Sequence, residues 1–204
     1  MRYGIVTIAV LALAFAGTAA RAADSRHPDW PCTQAKVPDI SLAAVWAGPP
    51  LDDVQNKWKD DAKVSALVSK LAARKTPLEQ AEKSVKEFLA ASASDKTTNA
   101  KLLFAGLFDT LNAQRSSVMN GLERVSRKQR EAADKIREDT LQLQALQGAT
   151  PPDETKVEAL SNQLIWETRI FEDRRKVVRF VCEVPTAIDQ RLFALGRVIQ
   201  QEME

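Results

Sequence analysis

Residues 104–146 read FAGLFDTLNAQRSSVMNGLERVSRKQREAADKIREDTLQLQAL, and no proline interrupts them. Their apolar residues recur at alternating steps of four and three, which is the heptad spacing of a coiled-coil helix. The positions with this spacing are Phe104, Phe108, Leu111, Val118, Leu122, Val125, Ala132, Ile136, Leu143 and Leu146. Gly148 predicts the end of the helix. The pattern therefore predicts one helix of about 50 residues and about 75 Å.

A second heptad series follows a short turn that contains Pro151 and Pro152. Its apolar positions are Val157, Leu160, Leu164, Phe171, Val178, Val181, Ile188, Leu192, Leu195 and Ile199. Two such series joined by a short turn predict an antiparallel helical hairpin with its tip at about residues 147–153. In the register that pairs Leu146 with Val157, Gln129 lies beside Arg174 as a polar layer. Pro185 predicts a kink, because it frees the carbonyl one turn earlier.

Two shorter helices precede the hairpin. One is expected from Asp52 or Asp53 to about Arg74, and the next from a capping box at Thr76 and Glu79 to about Ala93. They are too short to cover the hairpin, so they should cover its open end, where residues 102–108 and 192–196 are apolar on several faces. The predicted fold class for residues 51–204 is all-α. It is a four-helix base in which two long C-terminal helices form a projecting antiparallel coiled-coil hairpin.

The first 50 residues predict a signal peptide and an irregular arm. Residues 1–22 combine Arg2, an apolar run over 5–17 and a small-residue site at residues 20–22. This pattern predicts a signal peptide cleaved after Ala22 and a periplasmic location. We expect no stable membrane insertion after cleavage, because the apolar run is too short to span a bilayer. Residues 23–50 contain five prolines and predict an irregular, Pro-rich N-terminal arm, called the strap below.

The two cysteines, Cys32 and Cys182, are expected to form a disulfide, since cysteines of exported proteins usually pair. A redox or metal-binding thiol pair is the alternative, and the cysteines lack the C-x-x-C spacing that such pairs favour. The hairpin register puts Cys182 opposite Gly121, whose missing side chain is expected to leave room for the strap.

Composition excludes most chemistry. The chain has 29 Lys and Arg against 27 Asp and Glu, and Arg2 and Arg21 belong to the predicted signal peptide. The chain that remains after cleavage therefore has balanced charges, which makes nucleic acid a poor partner. The single histidine, His27, is on the strap, and there is no H-E-x-x-H, C-x-x-C-H or Gly-rich nucleotide loop. We therefore expect no catalytic residues, no metal, no cofactor and no enzymatic activity.

Four charged residues and one tryptophan remain as candidates. Arg115 occupies a hairpin position inside the apolar base and is expected to form a buried ion pair with Asp189; the alternatives are an anion site for a ligand and an arginine that extends to solvent. Trp166, Arg127 and Arg130 on the charged distal half are candidate partner contacts.

These features favour an exported periplasmic scaffold, adaptor or accessory protein that contacts an unidentified protein partner through its coiled-coil arm. A holdase-like periplasmic chaperone and a small-ligand-binding sensor bundle are the alternatives. Self-association into a homo-oligomer is compatible with all three.

Overall fold

The chain is helical in the computed structural model, which describes residues 26–92 and 94–204. The predicted signal peptide over residues 1–22, with its cleavage after Ala22, and Ala93 lie outside the described residues. The helices are α1 (Leu42–Val45), a 3₁₀ helix (Lys57–Lys59), α2 (Ala62–Ala72), α3 (Leu78–Ala90), α4 (Lys96–Gln147), α5 (Glu154–Val181) and α6 (Val184–Gln201). No strand occurs among the described residues, and the predicted all-α class is confirmed.

The base is a four-helix bundle of α2, α3, the first part of α4 and α6. Phe104 of α4 is fully buried, and the ring of Trp46 stacks on it with centroids 4.2 Å apart. Gly196 of α6 permits this close approach, because a Cβ there would lie 2.9 Å from the Val45 carbonyl oxygen. Most of the apolar residues that the sequence placed at the open end of the hairpin therefore belong to the core, whereas Phe193 is exposed.

The coiled-coil arm consists of the part of α4 beyond about residue 118 together with α5. The 52 residues of α4 span about 78 Å, and its first part lies in the base, so its distal part projects. Lys135 of α4 bonds Glu167 of α5, and Asp139 accepts a hydrogen bond from Gln163. A step of four along α4 thus matches a step of four back along α5, as an antiparallel pair requires. This register is one residue from the predicted one.

The second helical segment of the hairpin is bent at a two-residue break between α5 and α6. Cys182 and Glu183 form the break, and Pro185 occupies the first turn of α6. Proline has no N–H to donate to the Val181 carbonyl, so α5 cannot continue through this point. The kink that Pro185 predicted is present as a change from one helix to the next.

The predicted start of the first helix is wrong, although α2 ends at Ala72, close to the predicted end. Residues 52–56 form turns, Asn56 adopts a left-handed backbone with φ of 65°, and a 3₁₀ helix follows. Asparagine tolerates this conformation, which no regular helix contains. The α2 helix starts only at Ala62, where the Asp61 carboxylate accepts hydrogen bonds from the N–H groups of Lys63 and Val64.

The capping box at the second predicted helix is also wrong. The Thr76 hydroxyl donates a hydrogen bond to the Lys70 carbonyl at 2.9 Å, and the preceding turn rather than α3 uses it. No side chain caps the start of α3, which begins at Leu78 and ends at Ala90. A threonine hydroxyl can bond a nearby backbone carbonyl in place of a helix terminus.

Candidate functional site

The strap is fixed to the root of the arm by a disulfide. Cys32 and Cys182 are bonded with their Cα atoms 5.5 Å apart, so the predicted pairing is confirmed. The Gln34 side-chain amide donates a hydrogen bond to the Cys182 carbonyl, a group that the break in the helix leaves available. The prediction that Gly121 makes room for the strap is wrong, because a Cβ there would meet only Arg124, at 4.0 Å.

Further along, the strap follows one face of α4. The Lys36 ammonium lies 2.5 Å from the Glu123 carboxylate, and both side chains are largely buried. The Pro38 carbonyl accepts a hydrogen bond from Arg115 at 3.1 Å. Arg115, Glu123 and Arg127 are eight and four residues apart, so they lie on one face of the helix. This face of the hairpin is therefore covered.

Arg127 and Arg130 are engaged by the protein itself. Arg127 Nη1 lies 2.7 Å from the Asp29 carboxylate, Arg130 bonds the other carboxylate oxygen, and Arg130 also donates to the Pro28 carbonyl at 3.2 Å. The hydrogen bonds from Arg127 and Arg130 hold the pKa of Asp29 below its usual value. The pairing shifts the expected role of the two arginines from partner contact to attachment of the strap. The sequence analysis missed it because Asp29 is about 100 positions away.

The structure brings Arg115 and Asp189 together. Arg115 Nε is 2.8 Å from Asp189 Oδ1, at ion-pair distance although the N–H does not point along a hydrogen bond. Arg115 is buried; the Asp189 side chain is 40% exposed as a whole, but the Oδ1 that faces Arg115 is buried. Burial raises the pKa of Asp189, and the Arg115 charge opposes that rise. Arg115 Nη1 also contacts the Pro38 carbonyl and the Met119 sulfur, so the guanidinium is held by groups of the protein itself.

A polar layer crosses the middle of the arm. The Lys135 ammonium lies 2.5 Å from Asp139 and 2.9 Å from Glu167, and Gln163 donates to both carboxylates at 3.2 and 3.0 Å. These carboxylates raise the pKa of Lys135, Asp139 contributing most. Asp139 and Glu167 occupy heptad positions at which the pattern would place apolar residues.

The predicted polar layer of Gln129 and Arg174 is not formed. The Gln129 amide donates to the Phe171 carbonyl at 3.1 Å, and the Arg174 side chain is exposed. A backbone carbonyl of the facing helix accepts from the glutamine amide N–H, which an arginine cannot do because its guanidinium carries only donors.

The outward face of α5 exposes three large apolar side chains among charged ones. None of the residues of α5, all of which the structure describes, is buried. Yet Trp166, Val177 and Phe180 are 61%, 59% and 74% exposed. Spacings of eleven and three put these side chains on one face, away from α4. The candidate Trp166 is thus part of a longer apolar face, which we call the outer face. Val177 and Phe180 were missed, although their off-heptad positions were a visible signal.

A groove of about 760 Å³ adjoins the outer face at the root of the arm. Its floor is aliphatic and includes Val125, Ile170 and Val177. Gly121, Arg124 and Lys128 line it from α4, at spacings of three and four that place them on a different face from the residues under the strap. The strap and the groove therefore occupy opposite sides of the hairpin.

Among residues 26–92 and 94–204, no three His, Cys, Asp or Glu side chains are grouped to hold a metal ion. No helix within the same ranges is both long and apolar enough to cross a membrane. No protein-family model, curated protein or solved structure matches the chain. Inference about function therefore depends on the surface of the arm.

Proposed function

We propose that the protein is an exported periplasmic scaffold, adaptor or accessory protein that contacts another protein through its coiled-coil arm. The outer face of α5 carries this proposal. A helix in water normally places polar residues opposite its seam, whereas α5 exposes Trp166, Val177 and Phe180 there. Large apolar side chains held in a row on a rigid element are typical of protein contact sites.

The proposed periplasmic location is supported by the disulfide, which suits an oxidising compartment. The Cys32–Cys182 disulfide persists outside the cytosol and is rare within it. The signal-peptide pattern of residues 1–22 points to the same compartment.

The alternatives have less support. An anion-sensing pocket would need Arg115 to face its ligand, and the guanidinium is occupied by Asp189 and Pro38. A holdase chaperone would use the same exposed apolar residues, and it would bind many unrelated clients instead of one partner.

The test is cross-linking and co-purification from the periplasm with two matched triple variants. The first changes Trp166, Val177 and Phe180 to Glu on the arm. The second changes Leu42, Leu78 and Phe193, which are exposed apolar residues of the base, in the same way. One discrete partner that the arm variant loses and the base variant keeps supports the proposal. A partner kept by the arm variant refutes it, and a mixture of unrelated clients supports the chaperone instead.

A further inference from the structure

The groove at the root of the arm is the surface best suited to bind part of another protein. It lies on the side of the hairpin that the strap leaves open, and α2 and α3 stop short of it, since the turn after α2 reaches only as far as Val118 and Val184. Its aliphatic floor includes Val177, which is 59% exposed. The groove is therefore an open, partly apolar surface between α4 and α5.

The rim of the groove is basic. Arg124, Lys128 and Arg174 line it, and none of the three forms an ion pair with another described residue. The one carboxylate in the lining, Asp173, is bound by Lys176 at 3.1 Å. Unpaired cations around an apolar floor favour an occupant that brings carboxylates to the edges of an apolar stripe.

We infer that this groove binds an amphipathic helix of a partner protein whose apolar stripe is flanked by Glu or Asp residues. The inference rests on the proposed function and names the partner's chemistry. A third helix would bury Val177 and the neighbouring Ile170 against its stripe, in the manner of helix-in-groove recognition. Its flanking carboxylates would pair with Arg124, Lys128 and Arg174.

A second copy of this chain fits less well. In a two-fold contact the same surface faces itself, so the basic rims of both copies would meet. Like charges brought together in an interface oppose association.

The experiment measures binding of two fluorescent 18-residue peptides to the full, disulfide-intact protein. Both peptides carry a Leu/Ile stripe at heptad spacing; one has Glu at every flanking position and the other has Lys. We expect the Glu peptide to bind at least about tenfold more tightly than the Lys peptide, and its affinity to fall with added salt. Equal affinities, or no binding of the Glu peptide, would overturn the inference.

Variants locate the binding site. Val177→Asp should weaken the Glu peptide about tenfold or more, whereas Phe193→Asp on the base should leave binding unchanged. The double change Arg124→Glu and Lys128→Glu should reverse the preference toward the Lys peptide. Full binding by Val177→Asp would contradict the inference, as would a concentration-dependent dimer that Val177→Asp abolishes in place of peptide binding.

The outcomes separate this inference from the proposed function. If the arm variant loses its partner in the periplasm but the peptides show no charge preference, the arm is the contact surface and the assignment of the groove is wrong. If the arm variant keeps its partner, the proposed function itself is wrong, whatever the peptides do.

Discussion

Cys182, in the break between α5 and α6, is bonded to Cys32 of the strap, 150 positions earlier in the chain. The bond closes nearly the whole described chain into one loop at the point where the arm leaves the base. It therefore ties the strap to the root of the arm.

Removal of this bond should destabilise the protein. Chain-entropy arguments give about 5 kcal/mol as the upper figure for a loop of this length. We expect the double change Cys32→Ala and Cys182→Ala to lower the free energy of unfolding in urea by about 2–5 kcal/mol. The wild type with reductant is the control and should behave like the variant. Equal unfolding midpoints for all three samples would contradict a structural role for the bond.

The ion pair in the base should respond unequally to removal of its two partners. Asp189→Ala leaves the buried Arg115 charge without its counter-ion, and we expect a loss of about 2 kcal/mol. Arg115→Met leaves Asp189, whose side chain is 40% exposed as a whole, so we expect a smaller loss of about 1 kcal/mol. Chemical denaturation of both variants and of the double variant measures the difference. A larger loss for Arg115→Met would be inconsistent with this assignment.

The end of the strap should loosen in acid. Because the folded-state pKa of Asp29 is lowered by Arg127 and Arg130, its ion cluster contributes fully above the ordinary Asp pKa of about 4. The contribution is lost as the pH falls through the lowered folded-state value. Carboxyl NMR should show Asp29 titrating below its usual range, and Arg127→Gln with Arg130→Gln should bring it back. Ordinary titration of Asp29 in the wild type would show that the cluster does not form.

The distal arm should be removable without loss of the fold. We expect excision of residues 133–146 and 156–169 to keep the heptad phase on both strands, because two heptads leave each helix. The disulfide and the contacts of the strap with Arg127 and Arg130 lie outside these ranges. Small-angle X-ray scattering should show a maximum dimension shorter by about 21 Å, with helical circular dichroism retained. Aggregation or loss of the disulfide would contradict the register.

Sequence periodicity was sufficient for the hairpin and insufficient for what lies beside it. The spacing of residues such as Leu122, Val125 and Val178 predicted the seam, because a helix repeats its buried face every three or four residues. Pro185 likewise predicted the bend. The buried residues of a regular helix can thus be predicted from their spacing in the sequence.

Contacts between distant segments could not be predicted in this way. The strap is irregular, so nothing periodic indicates that Asp29 meets Arg127 and Arg130. The helix that was predicted from Asp52 failed for a local reason, since Asn56 turns left-handed and Asp61 caps a later start. The outer face was visible as apolar residues outside the heptads, but only the exposure of Phe180 shows that the fold leaves it uncovered.

The most direct test of the account is photo-cross-linking in living cells at two exposed phenylalanines. A photoreactive phenylalanine replaces Phe180 on the arm in one strain and Phe193 on the base in another, both being exposed in the folded protein. If the protein acts through its arm, position 180 forms a discrete covalent adduct with another protein, and position 193 forms no adduct of that mass. The same adduct from position 193 alone, or no adduct from position 180, would contradict the claim that the protein acts through its arm.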